Sequence, residues 1–279
     1  MALNSVKTLN FALLEQVRDL NQPFSVLQYS TLNEAFNIGN IAPPSSGYPT
    51  MQYLAIGRGG HSNVVGTGND TLTDILTHRS TDTTMFQAIP FVMVPTSADL
   101  GPTARAKYRI RVLETYGGID YYCYYLKVIP ETNITTDVRV IQVTNGVITS
   151  DVAYVPSITS LSPTPINISN TVVNVANGEH LVAQSVLPIT LDSTDILNII
   201  NACVTKYGDA RYATISELGV VSAYDVSVTN TMGGHSTTYT EVQAAQIMAF
   251  VGTYNPCQNN PDGITQSFAL SSTLLYPSV

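Results

Sequence analysis

Tryptophan is absent from the sequence, and charged side chains are scarce, at 11% of 279 residues. Soluble domains usually carry about 25% charged residues. Ser, Thr and Asn supply the polar surface instead, and a neutral, hydroxyl-rich surface suits permanent contact with other subunits. Carbohydrate-active enzymes commonly stack sugar rings on aromatic side chains, so the lack of Trp weighs against that class.

Basic residues are few as well: 12 Lys and Arg stand against 20 Asp and Glu, for a net charge of −8. Phosphate binding needs clustered basic side chains, so we expect no nucleic-acid partner. No run of about 18 apolar residues occurs, so we expect no membrane span. The N-terminal stretch carries charges, including Lys7 and Glu15, where a secretory signal has its apolar core.

The chain has three cysteines, Cys123, Cys203 and Cys257. They are too few and too scattered for a disulfide framework, and their spacing matches no zinc pattern. We therefore expect buried free thiols, as in a protein made in the cytosol.

The stretch that most resembles an active site is "GRGGH", at the end of an apolar run. It lacks the Lys and hydroxyl residue of a phosphate loop, and Ser62 stands where a dinucleotide loop needs Gly. We interpret it as a sharp turn that exposes Arg58 and His61. The other histidines, His78, His180 and His235, lack metal-ligand spacing and are expected in exposed loops.

No nucleophile motif of the G-x-S-x-G kind is present either. We therefore expect no enzyme activity, no catalytic, cofactor-binding or metal-binding residue, and no cofactor. A carboxylate pair for glycoside hydrolysis needs only spatial proximity, so the sequence leaves that possibility open.

Turn and periodicity signals predict a β-rich α+β fold with antiparallel sheets and a β-sandwich core. Gly117-Gly118 and Asn145-Gly146 each predict a hairpin, the first with Val112 opposite Cys123. A helix is expected over residues 3–20, and two more over 192–207 and 241–251. We predict three segments: an N-terminal helical arm with a Pro-rich linker (1–45), a β-rich core (46–191) and a mixed helix and strand part (192–279).

The most informative feature is an alternation of basic residues in the first hairpin strand. Two-residue spacing predicts that they share one outward face, beside two tyrosines of the second strand. Arg and Tyr are enriched at interfaces, so the face is either solvated or a docking surface for an acidic partner. The residues of this candidate partner interface are Arg105, Lys107, Arg109, Arg111, Tyr122 and Tyr124.

Three stretches together resemble virion structural proteins of tailed bacteriophages: "YLAIGRGGH", "PFVMVPTSADLGPTARAKYRIRV" and "INACVTKYGDARYATISELGVVSAYD". The first is most similar to a strand and turn early in baseplate-wedge proteins of contractile-tailed phages. An aromatic residue usually follows there, whereas this chain has Ser62 and Asn63. The resemblance implies no catalytic residues.

This resemblance implies a structural component of the tail, baseplate or neck, made in the host cytoplasm and located in the virion. Its expected partners are other virion proteins and further copies of itself, in a homo-oligomer or ring. The alternatives are a capsid decoration or head–tail connector protein and, in another class, a tail-associated protein that binds or hydrolyses glycans.

Overall fold

The computed structural model describes residues 4–39, 44, 46–65, 71–130, 134–162, 177–232 and 235–275. The chain divides into two compact units. Unit 1 comprises Met1–Ile129 and Leu191–Ile264, and unit 2 comprises Pro130–Thr190 and Thr265–Val279. The three segments predicted from the sequence do not coincide with these units, because each unit is assembled from stretches that are distant in the chain.

The described part of unit 1 contains four α-helices and most of the strands. The helices are α1 (Leu9–Asp19), α2 (Leu32–Ala35), α3 (Pro102–Arg105) and α4 (Ser193–Tyr207). The strands are β1 (Asn4–Lys7), β2 (Thr50–Gly57), β3 (His61–Val65), β4 (Thr71–Ile75), β5 (Val92–Pro95), β6 (Tyr108–Tyr116), β7 (Ile119–Val128), β11 (Thr214–Met232) and β12 (His235–Pro256). β3 and β4 form a separate two-stranded sheet.

The seven-stranded sheet of unit 1 has the order β1-β12-β11-β2-β7-β5, and β6 also pairs with β7. The predicted first hairpin is confirmed, with Val112 opposite Cys123 and Arg111 opposite Tyr124 across the Gly117-Gly118 turn. Both faces of β7 are buried, since Cys123 and Tyr124 are each 0% exposed. The half of the hairpin away from its turn therefore lies inside the core, whereas Leu113 and Ile119 near the turn are exposed.

The predicted helix over 241–251 is wrong, because this stretch belongs to strand β12. β12 pairs with β11 along its length and with β1 at residues 249–252. Its residues from Ala244 to Val251 are all buried. A strand covered on both faces reads as a continuous apolar run, which resembles a buried helix in periodicity.

The predicted helix over 192–207 is confirmed as α4. Asp192 caps its N-terminus and exchanges hydrogen bonds with Asp195 in a capping box. Gly208 ends it at φ 81°, in the left-handed region that favours glycine. The C-terminal half of the chain thus holds one long helix in its described part, where the sequence predicted two.

The N-terminal segment is part of unit 1 and not a projecting arm. β1 pairs with β12, and the Thr8 hydroxyl donates to the Ile247 carbonyl at 2.7 Å. Leu32 of α2 is 1% exposed within the hydrophobic core. The side chain of Asn33 donates to the Val242 carbonyl and accepts from the Ala245 amide, which ties α2 to β12.

Unit 2 is built on a four-stranded sheet with the order β13-β10-β8-β9. Its strands are β8 (Thr135–Thr144), β9 (Val147–Ala153), β10 (Gly178–Asp192) and β13 (Gly263–Leu275). The predicted Asn145-Gly146 hairpin is confirmed as the turn between β8 and β9. Together the antiparallel sheets and few helices confirm the predicted β-rich α+β class.

Candidate functional site

The turn between β2 and β3, which contains "GRGGH", is fixed from beneath by Glu217 of β11. This side chain is 0% exposed. Its Oε1 accepts hydrogen bonds from the amides of Gly59, at 3.0 Å, and Gln87, at 2.9 Å. Its Oε2 accepts from the amide of Phe86 at 2.9 Å. One carboxyl group therefore ties the turn to the loop that precedes β5.

His78 completes this buried cluster. Its Nε2 lies 2.8 Å from Oε2 of Glu217, and its Nδ1 lies 3.0 Å from Oδ2 of Asp82. The ring is stacked between Phe86 and Phe250, with centroid distances of 3.9 and 3.7 Å. Both ring nitrogens thus lie within hydrogen-bond distance of carboxyl oxygens. The His78 contacts connect the loop between β4 and β5 to Glu217 of β11 and Phe250 of β12.

The expectation that the histidines lie in exposed loops is wrong for His78 and His180, which are 6% and 5% exposed. The side chain of His235 lies outside the described residues. A signal for the cluster was present in "ISELGVV", since a single carboxylate within an apolar strand needs buried partners.

The glycines of the turn are needed for close approach and not for a sharp bend. A Cβ at Gly59 would lie 2.6 Å from Cβ of Phe86, and one at Gly60 would lie 2.4 Å from the Ser216 carbonyl oxygen. The Gly60 amide donates to the Ser216 hydroxyl at 3.0 Å. The backbone of the turn is thus packed directly against β11.

Above the turn lies a polar cavity of about 470 Å³ within unit 1. Its lining side chains come from the turn, from β3, from the short helical turn after α4 and from β12. They include Arg58, His61, Asn63, Arg211, Tyr212 and Tyr254. The interpretation of Arg58 and His61 as exposed is corrected, because both are half-buried against neighbouring aromatic rings.

Arg58 lies over two tyrosine rings, with its guanidinium carbon 4.8 Å from the centroid of Tyr207 and 4.3 Å from that of Tyr212. Stacking of this kind fixes the plane of the guanidinium. His61 packs edge-on against Tyr254 at 5.0 Å. Burial, reinforced by the nearby Arg58 charge, lowers the pKa of His61. The imidazole is therefore neutral at pH 7.

The predicted basic face does not exist as a single outward surface. Arg105 belongs to α3, and both Arg105 and Arg109 are buried, at 8% and 6% exposure. Of the four basic residues only Lys107 is exposed. The alternation predicted the wrong environment, because residue spacing does not show that carboxylates of the same chain pair with these basic residues.

Three carboxyl groups of unit 1 take the place of the acidic partner. Arg105 pairs with Glu241 at 3.4 Å, Arg109 with Asp225 at 2.9 Å, and Arg111 with Asp99 at 2.7 Å. Tyr239 lies against two of the guanidinium groups, at 3.4 Å from Arg105 and 5.5 Å from Arg111. The predicted tyrosines are also engaged: Tyr122 lies under Arg111, and Tyr124 donates to Asp99 at 2.5 Å.

A strained residue accompanies these pairs. Ile110 has φ 53°, which is unusual for a β-branched residue and costs of order 1–3 kcal/mol. Its amide donates to Oε2 of Glu241 at 3.1 Å. Burial raises the pKa of Glu241, and the Arg105 charge only partly offsets this effect. The conformation of Ile110 thus supplies a hydrogen-bond donor to the half-buried carboxyl group of Glu241.

The predicted free thiols are confirmed, since all three cysteines are buried and unpaired by disulfides. Within the described ranges, no group of three His, Cys, Asp or Glu side chains could hold a metal ion. No helix in that part of the chain is long and apolar enough to cross a membrane.

Comparison with known proteins assigns the chain to a family. No curated protein and no solved structure matches the chain significantly. A family model matches residues 2–275, which is nearly all of the sequence. The chain therefore belongs to the Family of unknown function (DUF7208).

Proposed function

We propose that the protein is a structural subunit of a phage virion, in the tail or baseplate, that acts through permanent contacts with neighbouring subunits. The observation that carries this proposal is the exposed strand β9 of unit 2. All seven of its residues are exposed. Among them Val147, Ile148 and Val152 are 63%, 60% and 53% exposed.

β9 also offers an unpaired edge. In the described part of unit 2 it pairs with β8 alone and ends the sheet. The chain after it remains apolar and exposed, with Val155, Ile158 and Leu161 each at 77% or more. A strand edge with free amide and carbonyl groups is a template for another strand, and soluble monomers usually protect such edges. Permanent cover by a neighbouring subunit supplies that protection.

Unit 1 provides a second feature suited to assembly. β11 and β12 stay paired as far as Met232 opposite His235, whereas β2 accompanies β11 only to Ala223. Beyond the contacts of Asp225, Tyr239 and Glu241 with α3 and β6, the outer end of this strand pair is a two-stranded ribbon rich in Ser, Thr and Asn. An isolated two-stranded ribbon is marginally stable in water, so contact with another subunit would stabilise it.

Particle composition tests the proposal. Phage particles produced with the gene present, purified on a density gradient, should contain this chain at a fixed ratio to the major capsid protein. The variant Ile148→Lys with Val152→Lys should fold with an unchanged circular dichroism spectrum but be missing from the particles. Leu20→Lys, which alters a 66% exposed side chain of unit 1, is the control and should be incorporated. Particles that lack the wild-type chain would refute the virion assignment.

A further inference from the structure

Two side chains in the cavity above the "GRGGH" turn, Arg58 and His61, have polar groups that a ligand can contact. Arg58 pairs with no carboxyl group among the described residues, although it is half-buried. The Nδ1 atom of His61 is buried and has no hydrogen-bond partner. Buried polar atoms are almost always paired, so the unpartnered Nδ1 atom of His61, beside a half-buried guanidinium that stacks on two tyrosine rings, indicates a ligand that supplies the missing partner.

The two groups are held in place before any ligand binds. Gly59 and Gly60, between them in the chain, are tied by hydrogen bonds to Glu217 and Ser216. Tyr207 and Tyr212 fix the guanidinium plane of Arg58. A site on a rigid turn avoids most of the ordering cost of binding.

The charges in the cavity indicate a ligand with one negative charge. Arg211 is neutralised by Asp209, with Nη2 and Oδ2 2.6 Å apart. Since His61 is neutral, Arg58 contributes the one unbalanced positive charge among the described residues that line the cavity. The planar fork of a guanidinium matches a planar carboxylate through two parallel hydrogen bonds. A phosphate monoester, with a charge of about −1.5 to −2, would face the Asp209 carboxylate with excess charge.

The remaining lining suits hydroxyl groups. A neutral His61 ring offers one donor and one acceptor, and Asn63 adds an amide. Tyr212 and Tyr254 add aromatic surface to the lining, which suits the C–H groups of a sugar. A cavity of about 470 Å³ is within the size range of small-ligand sites and holds one or two sugar residues.

We propose that this cavity binds a carboxylate-bearing sugar residue, with Arg58 on the carboxylate and with His61 and Asn63 on ring hydroxyls. On a virion subunit such a site would recognise acidic glycans at the host surface. The inference does not depend on assembly, because all the described residues that line the cavity belong to unit 1 of one chain.

Ligand-detected NMR on the purified full-length protein tests this proposal. The probes are D-glucuronate, D-galacturonate and N-acetylneuraminate, with D-glucose and D-glucose 6-phosphate as comparison ligands. We expect saturable binding of at least one sugar acid, and binding of glucose at least about tenfold weaker, because glucose lacks the charged group. Equal binding of glucose would overturn the role of Arg58, and tighter binding of the phosphate would overturn the carboxylate assignment.

Variants then locate the site. Arg58→Gln should weaken sugar-acid binding about tenfold or more. Arg58→Lys keeps the charge but loses the planar fork, so it should also weaken binding. Arg18→Gln removes an exposed arginine of α1 and should bind like the wild type. Thermal melting of each variant verifies that it is folded. Absence of sugar-acid binding by the wild type, or unchanged binding by both Arg58 variants, refutes the site and leaves the assembly proposal standing.

Discussion

Arg109 and Asp225 face each other through two parallel hydrogen bonds, Nε to Oδ1 and Nη2 to Oδ2, each 2.9 Å long. The two residues are 116 positions apart and join β6 to β11. The Arg109 side chain is 7% exposed and that of Asp225 is 43% exposed. Tyr53 also donates to Asp225, at 2.7 Å. The guanidinium is thus buried beneath a carboxylate that remains partly in contact with water.

We expect Asp225→Ala to lower the free energy of unfolding by roughly 2–3 kcal/mol, because it leaves the Arg109 charge buried and unpaired. This figure is below that for a fully buried pair, since Asp225 is partly exposed. Asp19→Ala, at the exposed end of α1, should change stability by less than about 0.5 kcal/mol. Denaturant unfolding measures both variants. Equal stability of the two would show that the pair contributes nothing.

The same pair predicts a dependence on pH. Burial opposes ionisation of Asp225, but hydrogen bonds from Arg109 and Tyr53 outweigh it and lower the pKa of Asp225. A lowered pKa stabilises the fold above the unfolded value of about 3.9, and this stability is lost as pH falls through the folded value. Asp225→Asn should therefore show a shallower loss of unfolding free energy below about pH 4 than the wild type. An identical slope in both proteins would contradict this.

Glu217→Ala should be among the most destabilising single substitutions in unit 1. It removes the acceptor for three backbone amides and leaves Nε2 of His78 without its partner. Each unsatisfied buried group costs about 1–3 kcal/mol, so we expect a loss of about 4 kcal/mol or more. If the variant does not accumulate as soluble protein, this outcome also agrees with the prediction. A melting temperature within about 5 °C of the wild type, a shift of only about 1–2 kcal/mol for a chain of this size, would contradict it.

Two glycine substitutions compare a glycine that is needed for close backbone packing, Gly60, with one that has open space around it, Gly101. Gly60→Ala places a Cβ 2.4 Å from a backbone oxygen of β11, so β11 or the turn must move. Gly101 has no atom within 4 Å of an added Cβ and no positive φ. We expect Gly60→Ala to destabilise by about 2 kcal/mol or more, and Gly101→Ala to change stability by less than about 0.5 kcal/mol. Thermal unfolding of both variants would reveal any reversal of this order.

The cysteines should be inert in the native protein. Burial raises the pKa of each thiol, Cys123, Cys203 and Cys257, to about 12. At pH 8 the thiolate is then about one part in ten thousand, and the thiolate is the reactive form. A thiol reagent should modify none of them within minutes at pH 8 but all of them in denaturant. Rapid native labelling would indicate that a cysteine region opens locally.

The features predicted from the sequence are those set by nearby residues. The two hairpins follow from Gly117-Gly118 and Asn145-Gly146, and α4 from its helical periodicity and from Gly208 as its end. These signals act over a few residues, so they do not depend on what packs against them.

The features that the sequence did not predict depend on distant partners. Thr238 and Glu241 have the spacing of a capping box, which favours a helix. The stretch is instead part of β12, because it pairs with β11 and β1. The basic alternation indicated an outward face, but Glu241, Asp225 and Asp99 lie too far along the chain for spacing to reveal the pairing. The cavity likewise combines β3, the turn after α4 and β12, and no linear motif records that combination.

The pairing of β1 with β12 determines when unit 1 can be completed during synthesis. Asn4 pairs with Gly252, so the first strand leaves the ribosome long before its partner. At about 5–20 residues per second the delay is roughly 10–50 s. The sheet of unit 2 is also completed late in synthesis. Its strand β13 follows β12 in the chain, whereas β8 and β10 precede α4. Throughout this interval the apolar edges of both sheets lack their final neighbours, and chaperones have time to bind them.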